Sequence, residues 1–283
     1  MVEAPVLFLE IKTMKHLSIP MPGGRRLHIA LDRHGALHPG GLKFGTNLRA
    51  DLFHRGRWQG FKDLGSGLVT NVGVLAMCND FAWAAPSGAS VATLKLANNH
   101  ASGTGVTAAA ATDIKLQTVS TQGGQTPVAG AQSLVSAANL QKYRSVATIA
   151  YTGSEAVTEW GLFLSGTLSA TTGSPFTATS ATTGTVTGTP LTASSGTVQG
   201  QQQNIFETTT TPRWGLVLSN TTSIITIPAW YVTADGTGGS TPGATEAYTI
   251  RPVMWDHKVF AAVNVANGDS IQFTYSLEIV EGG

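Results

Sequence analysis

Residues 259–279 read VFAAVNVANGDSIQFTYSLEI, and their pattern sets the fold class. Ile271, Phe273, Tyr275, Leu277 and Ile279 alternate with Gln272, Thr274, Ser276 and Glu278, the period of two that turns one strand face to a core and the other to solvent. The run Val259–Ala266 precedes them. Asn267-Gly268 between the two runs supplies the positive φ angles of a tight type I′ turn, which predicts a β-hairpin. Phe273 is expected inside and Thr274 outside.

The rest of the 283-residue chain agrees in composition. It holds 33 glycines, abundant Thr and Ser, and only 12% charged residues, which fits a β-rich, turn-rich protein better than a helical one. Strands are expected at Val91–Ala97, Ile114–Val119, Val146–Thr152, Ala156–Leu164, Trp214–Leu218 and Ile224–Ile227, the last stopped by Pro228. Leu68–Met77 reads as a strand or a short helix. His100–Thr107 has loop composition, and Ala129–Leu140 is the best helix candidate, although Gly130 weakens it. About eight short strands separated by turns predict a mainly β fold, a β-sandwich or jelly-roll-like barrel.

Charge divides the chain. Residues 1–63 carry ten Lys/Arg against five Asp/Glu, a balance of +5; residues 64–283 carry seven against eleven, a balance of −4. The first part is punctuated by Pro20, Pro22-Gly23-Gly24 and Pro39-Gly40-Gly41, so it is read as an extended, irregular N-terminal arm on a β domain spanning 64–283. Such an arm is expected to meet an acidic surface, for example that of a neighbouring copy, in preference to nucleic acid. Its candidate assembly contacts are Arg25, Arg26, Arg33, Lys43, Arg49, Arg55 and Arg57. Within the β domain, 24 of residues 165–200 are Gly, Ser or Thr, and no charged residue occurs from Trp160 through Phe206. A stretch at about 165–204 is therefore expected to be a surface insertion that tolerates shortening.

No residue pattern singles out a catalytic, cofactor or metal site. Gly103-Thr104-Gly105 lacks the lysine and closing glycine of a phosphate loop. His34 and His38 have the spacing of zinc ligands on a helix, but Gly35 and Pro39 oppose that helix. Asp256 and His257 are adjacent in an expected strand, where neighbours face opposite ways. Glu155 and Glu159 stand ~13 Å apart along a strand, too far for a glycosidase pair. The six tryptophans are expected in core or subunit contacts, and lone Cys78 as a buried thiol. No apolar run has the ~20 residues that span a bilayer, and the start lacks a basic signal-peptide region, so delivery by assembly is expected.

Several segments in order resemble a family of tailed-bacteriophage virion proteins. They are Asn71-Val72-Gly73; Ala101–Gly105 leading to Ala111-Thr112-Asp113; Thr158–Phe163, which also resembles a motif of tail-collar fibre proteins; and Val259–Val265 through Gly268–Tyr275. The resemblance covers residues 64–283. It implies a non-enzymatic virion component, foremost a capsid decoration or cement protein clamped by its arm to other virion proteins such as major capsid subunits. A homotrimer is expected by analogy. The alternatives are a tail, neck or fibre protein meeting the host surface through residues 165–200, and a virion glycan depolymerase.

Overall fold

Numbering strands in chain order, the alternating C-terminal segment forms β21 (Asp269–Val280) in a computed structural model. The structure describes residues 16–20, 26–31, 37–39, 43–74, 76, 97–123, 125–137, 140–164, 171–186, 204–227 and 229–280. β21 is central in a five-stranded sheet, between β4 (Lys43–His54) and β10 (Leu140–Ala150), with β5 (Arg57–Gly65) and β9 (Ala131–Ala137) as the end strands. β20 (Met254–Val265) belongs to a second sheet, between β6 (Leu68–Val69) and β11 (Glu155–Phe163), followed by β7 (Asn99–Gly103) and β8 (Val128–Ala129).

The expected hairpin is thereby corrected. A tight turn forms, closed by Asp269 N donating to Ala266 O at 3.0 Å, but it is not the type I′ turn expected: Gly268 has φ +86° while Asn267 does not adopt a positive φ, the pattern of a type II turn. The turn's outward groups go elsewhere, Gly268 N to Tyr151 O (3.1 Å) and Arg55 N to Gly268 O (3.1 Å). Its two strands enter opposing sheets because their inner faces then bury each other. Trp160 of β11 stacks on Tyr275 of β21 at 5.6 Å and touches Phe273 at 6.4 Å between ring centres. Ile271, Phe273 and Tyr275 are buried as expected, Leu277 is half-buried, and the side chain of Ile279 lies outside the described residues. The fold is mainly β, its sheets are antiparallel, and the sandwich is the form they fit.

Residues 43–63, read as part of an irregular arm, include the β4–β5 hairpin. Leu48 and Ala50 are buried while Arg49 is exposed, and Arg55-Gly56, with φ +47° and +76°, makes the two-residue turn. The turn escapes notice because Arg-Gly lacks the Asn that usually marks it. Removing residues 1–63 removes two strands of the sandwich.

Three further expectations change. Ala129–Leu140 holds strand β9 rather than a helix, since Gly130, Ser133 and Ser136 gain little from helix and a sheet edge is at hand. Residues 100–103 of the expected loop belong to the fully buried strand β7, where Ala101, Ser102 and Gly103 fit a crowded position: a Cβ on Gly103 would lie 2.3 Å from Thr118 O. Ile114–Val119 forms no strand, although Ile114 and Leu116 are buried. Leu68–Met77 supplies both β6 and a helical turn at 71–74, begun by Thr70, whose hydroxyl accepts from Gly73 N. Residues 91–96 and Cys78 lie outside the described residues.

Residues 171–186, 204–226 and 231–252 hold the strands of an eight-stranded sheet in the order β16-β17-β13-β12-β19-β14-β15-β18. The strands are β12 (Thr171–Ala178), β13 (Thr183–Val186), β14 (Asn204–Thr208), β15 (Arg213–Leu216), β16 (Ser219–Asn220), β17 (Ile224–Thr226), β18 (Tyr231–Val232) and β19 (Glu246–Pro252). The segment 213–220 bonds to β14 at one end (Val217 N to Asn204 O, 3.0 Å) and toward β17 at the other (Leu218 N to Thr226 O, 2.9 Å), so the sheet curls back around Trp230. Phe176, Val186, Phe206, Ile225, Ile227 and Tyr248 fill its interior. The expectation of a surface insertion fails over 171–186, which contributes β12, β13 and two core side chains; 187–203 lie outside the described residues.

Two compact units partition the chain, residues 1–46 with 133–144 and 276–283, and residues 47–132 with 145–275. The first contains an antiparallel three-stranded sheet of β1 (His16–Pro20), β2 (Arg26–Leu31) and β3 (Leu37–Pro39). The second holds the residues of the two constellations described next.

Candidate functional site

Two constellations stand out, one buried and one exposed. In the buried one, β11 and β20 pair so that Glu159 and His257 share the sheet face covered by residues 104–118. His257, with no side-chain exposure, is held by Asp113 Oδ2 at 2.7 Å through Nδ1 and by Glu159 Oε1 at 2.8 Å through Nε2. Glu159, also fully buried, accepts from the backbone N–H groups of Gly105 (3.1 Å), Gln117 (2.6 Å) and Thr118 (3.2 Å). The Gly-Thr-Gly loop thus cradles an anion, the protein's own carboxylate. A Cβ on Gly105 would stand 2.5 Å from Glu159 Oε2, which explains the glycine. Amides that would have laddered Ile114–Val119 as a strand go to that carboxylate instead.

Burial pushes the His257 imidazolium down, but its bonds to Glu159 and Asp113 outweigh this and hold the pKa above 6.5. Burial pushes Glu159 up, yet His257 and the Gln117 and Thr118 amides leave it below 4.5. The raised histidine contributes stability that is complete below pH 6.5 and lost as pH rises through its folded value. The lowered carboxylate contributes above pH 4.5 and loses its share as pH falls through its folded value. The clasp is therefore strongest between pH 4.5 and 6.5.

Asp256 faces the other side of β20 and has the opposite behaviour. Burial raises its carboxyl to about 7, against the Tyr275 hydroxyl and the amides of His257 and Leu68, and neither oxygen has a hydrogen-bond partner of normal geometry. A raised acid stabilises most below its ordinary 3.8 and loses that contribution as pH rises through about 7. Asp256→Asn is expected to be more stable than the native chain by ~1–3 kcal/mol at about pH 8 and nearly equal at about pH 4. Urea unfolding at both pH values tests this; a loss of stability at the higher pH would mean that the charged carboxylate has a partner.

A buried Ser–His pair also invites a catalytic reading. Trp160 Nε1–H donates to His100 Nδ1 (3.2 Å), so the imidazole proton sits on Nε2 and points at Ser145 Oγ (2.8 Å). Burial lowers His100 to about 3, and the ring stays neutral. Its only basic nitrogen is occupied by Trp160, so it cannot take the serine proton. Glu155 accepts from Ser120 Oγ and from Thr121 N (3.0 Å), and with Glu159 engaged as above the two carboxylates do not converge on a substrate cleft. Among the described residues no cluster of three or more His, Cys, Asp or Glu is arranged to hold a metal. His38 lies in β3, and His34 is outside the described residues.

The exposed constellation is the outer face of the β4–β5 hairpin. An extra residue, Gln59, interrupts the register between Leu52–Gly60 and Phe53–Trp58. Trp58 and Phe61 consequently both meet the outward side chains of β4: Trp58 Nε1 donates to Asp51 Oδ1 (3.2 Å), and Phe61 lies under the Arg49 guanidinium at 4.1 Å. Arg49 is fixed by Asp51 through Nε (2.9 Å) and Nη2 (2.6 Å). Trp58 is 56% exposed and Phe61 58%. Of the candidate contacts, Arg49, Arg55 and Arg57 come together on this hairpin. Arg26 and Lys43 lie in β2 and β4 by their backbones, and Arg25 and Arg33 are outside the described residues. Four other tryptophans, Trp160, Trp214, Trp230 and Trp255, are buried, and Trp83 is outside the described residues.

Five of the eleven acidic residues of 64–283 are directed inward. Glu159, Glu207, Glu246, Asp256 and Asp269 are all buried, Glu207 against Arg251 (2.7 Å) and Glu246 against Thr211 N (3.0 Å). These carboxylates form no acidic patch to receive a neighbour's arm.

Three of the four segments that carry the virion resemblance meet around the buried clasp: Asn71 N donates to Ala111 O (2.7 Å), Thr158 Oγ1 to Gly105 O (2.8 Å), and Asp113 holds His257. No protein-family model, curated protein or solved structure matches this chain.

Proposed function

We propose that this chain is a non-enzymatic structural component of a bacteriophage virion, a capsid decoration or cement protein that attaches through the β4–β5 hairpin. The observation that carries the attachment is the rigid, exposed Arg49–Trp58–Phe61 cluster. Trp and Arg dominate interface hot spots, and here two aromatic rings stand in solvent on the end strand of a sheet, ordered in advance by Asp51. Arg55 and Arg57 add positive charge at the turn end of the same hairpin. The virion role rests on the sequence resemblance alone.

A fibre role would be favoured by residues 165–200 projecting outward; Phe176 and Val186 are core residues, and 165–170 and 187–200 lie outside the described residues. Partners are accordingly other virion proteins, foremost the major capsid subunits. Trp58→Ala combined with Phe61→Ala is expected to abolish cosedimentation with undecorated particles while leaving the thermal melt within a few degrees of native, because both side chains are exposed. Wild-type chain that fails to cosediment with particles would sink the virion role. Undiminished binding of the double variant would move the attachment site off the hairpin.

A further inference from the structure

We propose that β9 is a self-pairing edge through which two copies of this chain associate antiparallel. Among the described residues β9 is an end strand of its sheet, and every side chain from Ala131 to Val135 is exposed. Leu134 is 69% exposed and Val135 47%. Adjacent strand residues point to opposite faces, so Leu134 and Val135 put exposed apolar groups on both sides of the strand. Natural edges are blunted by lysine, proline, inward charges or bulges. The β9 segment AQSLVSA has no lysine, no proline and no charged residue. The other end strand of the same sheet, β5, carries Arg57, Lys62, Asp63 and the Gln59 irregularity.

Charge identifies the occupant as a second copy. No charged residue occurs from Leu116 through Gln141, and Lys142, the next along the chain, already pairs with Glu278 at 2.7 Å. A strand without charge meets itself without repulsion, whereas a charged strand from another protein would find nothing to answer its charges. A twofold axis through the middle of the strand sets Leu134 against Leu134 of the partner subunit, and the contact is isologous. One strand pair is small beside the ~1,200–2,000 Å² of a stable interface, so association is concentration-dependent. The pairing is independent of the attachment proposed for β5.

Sedimentation velocity of the full chain over a wide concentration range is expected to show a monomer–dimer equilibrium. Leu134→Lys and Leu134→Glu, each placing like charges together, are expected to weaken the dimer by about tenfold or more without lowering the melting temperature, and mixing the two variants is expected to restore it. A monomer at every concentration overturns the proposal, and so does an oligomer unmoved by either substitution. Recovery in the mixture separates direct contact from damage to the fold.

Discussion

Glu159→Ala is expected to destabilise the fold by ~3–5 kcal/mol, the usual cost of removing one partner from a buried ion pair. The substitution leaves three backbone donors, those of Gly105, Gln117 and Thr118, without an acceptor and strips His257 of the partner at Nε2. His257 is then buried beside Asp113 alone, and its pKa falls. The loss should be largest between pH 4.5 and 6.5, where the native clasp is fully charged. Urea unfolding at about pH 5.5 measures it, and the double variant Glu159→Ala, His257→Ala should cost less than the sum of the single losses, because the two residues act as a unit. A loss below ~1 kcal/mol, with additive single effects, would show that residues 104–118 are held by apolar contacts such as Ile114 and Leu116 rather than by the carboxylate.

Phe176→Ala is expected to cost ~3–5 kcal/mol, the range for emptying a buried aromatic site. Phe176 is fully buried, with ring centres 4.7 Å from Phe206 and 5.7 Å from Trp230, and its ring fills the space a Cβ on Gly184 would need. Four aromatic side chains, Phe176, Phe206, Trp230 and Tyr248, occupy the interior of the curled sheet, so the cavity has little means of collapse. Thr179→Ala, at an exposed turn in the same segment, should cost well under 1 kcal/mol. Denaturant unfolding compares the two. Equal, small losses would restore residues 171–186 to the status of a removable excursion.

Local patterns determined what depends on neighbours along the chain. Alternation at Ile271, Phe273 and Tyr275 identified a buried strand face, and Asn267-Gly268 identified a tight reversal; both are properties of one backbone and its immediate side chains. The strand classes at Val146–Thr152 and Ala156–Leu164 were legible for the same reason. What a strand pairs with is not local. The partners of β20 and β21 were chosen by burial of Trp160, Phe273 and Tyr275 between two sheets, and a turn cannot encode that. Thr/Ser/Gly content likewise hid β12 and β13, because a few large side chains, Phe176 and Val186, outweigh many small ones once a common interior exists. The clasp was least legible of all: Asp113, Glu159 and His257 are separated by 46 and 98 positions, and only the register of β11 on β20 makes one site of them. A charge that looks like an acidic surface along the sequence becomes an interior carboxylate when three amides and an imidazole are folded around it, because desolvation is tolerated only where the fold supplies those partners together.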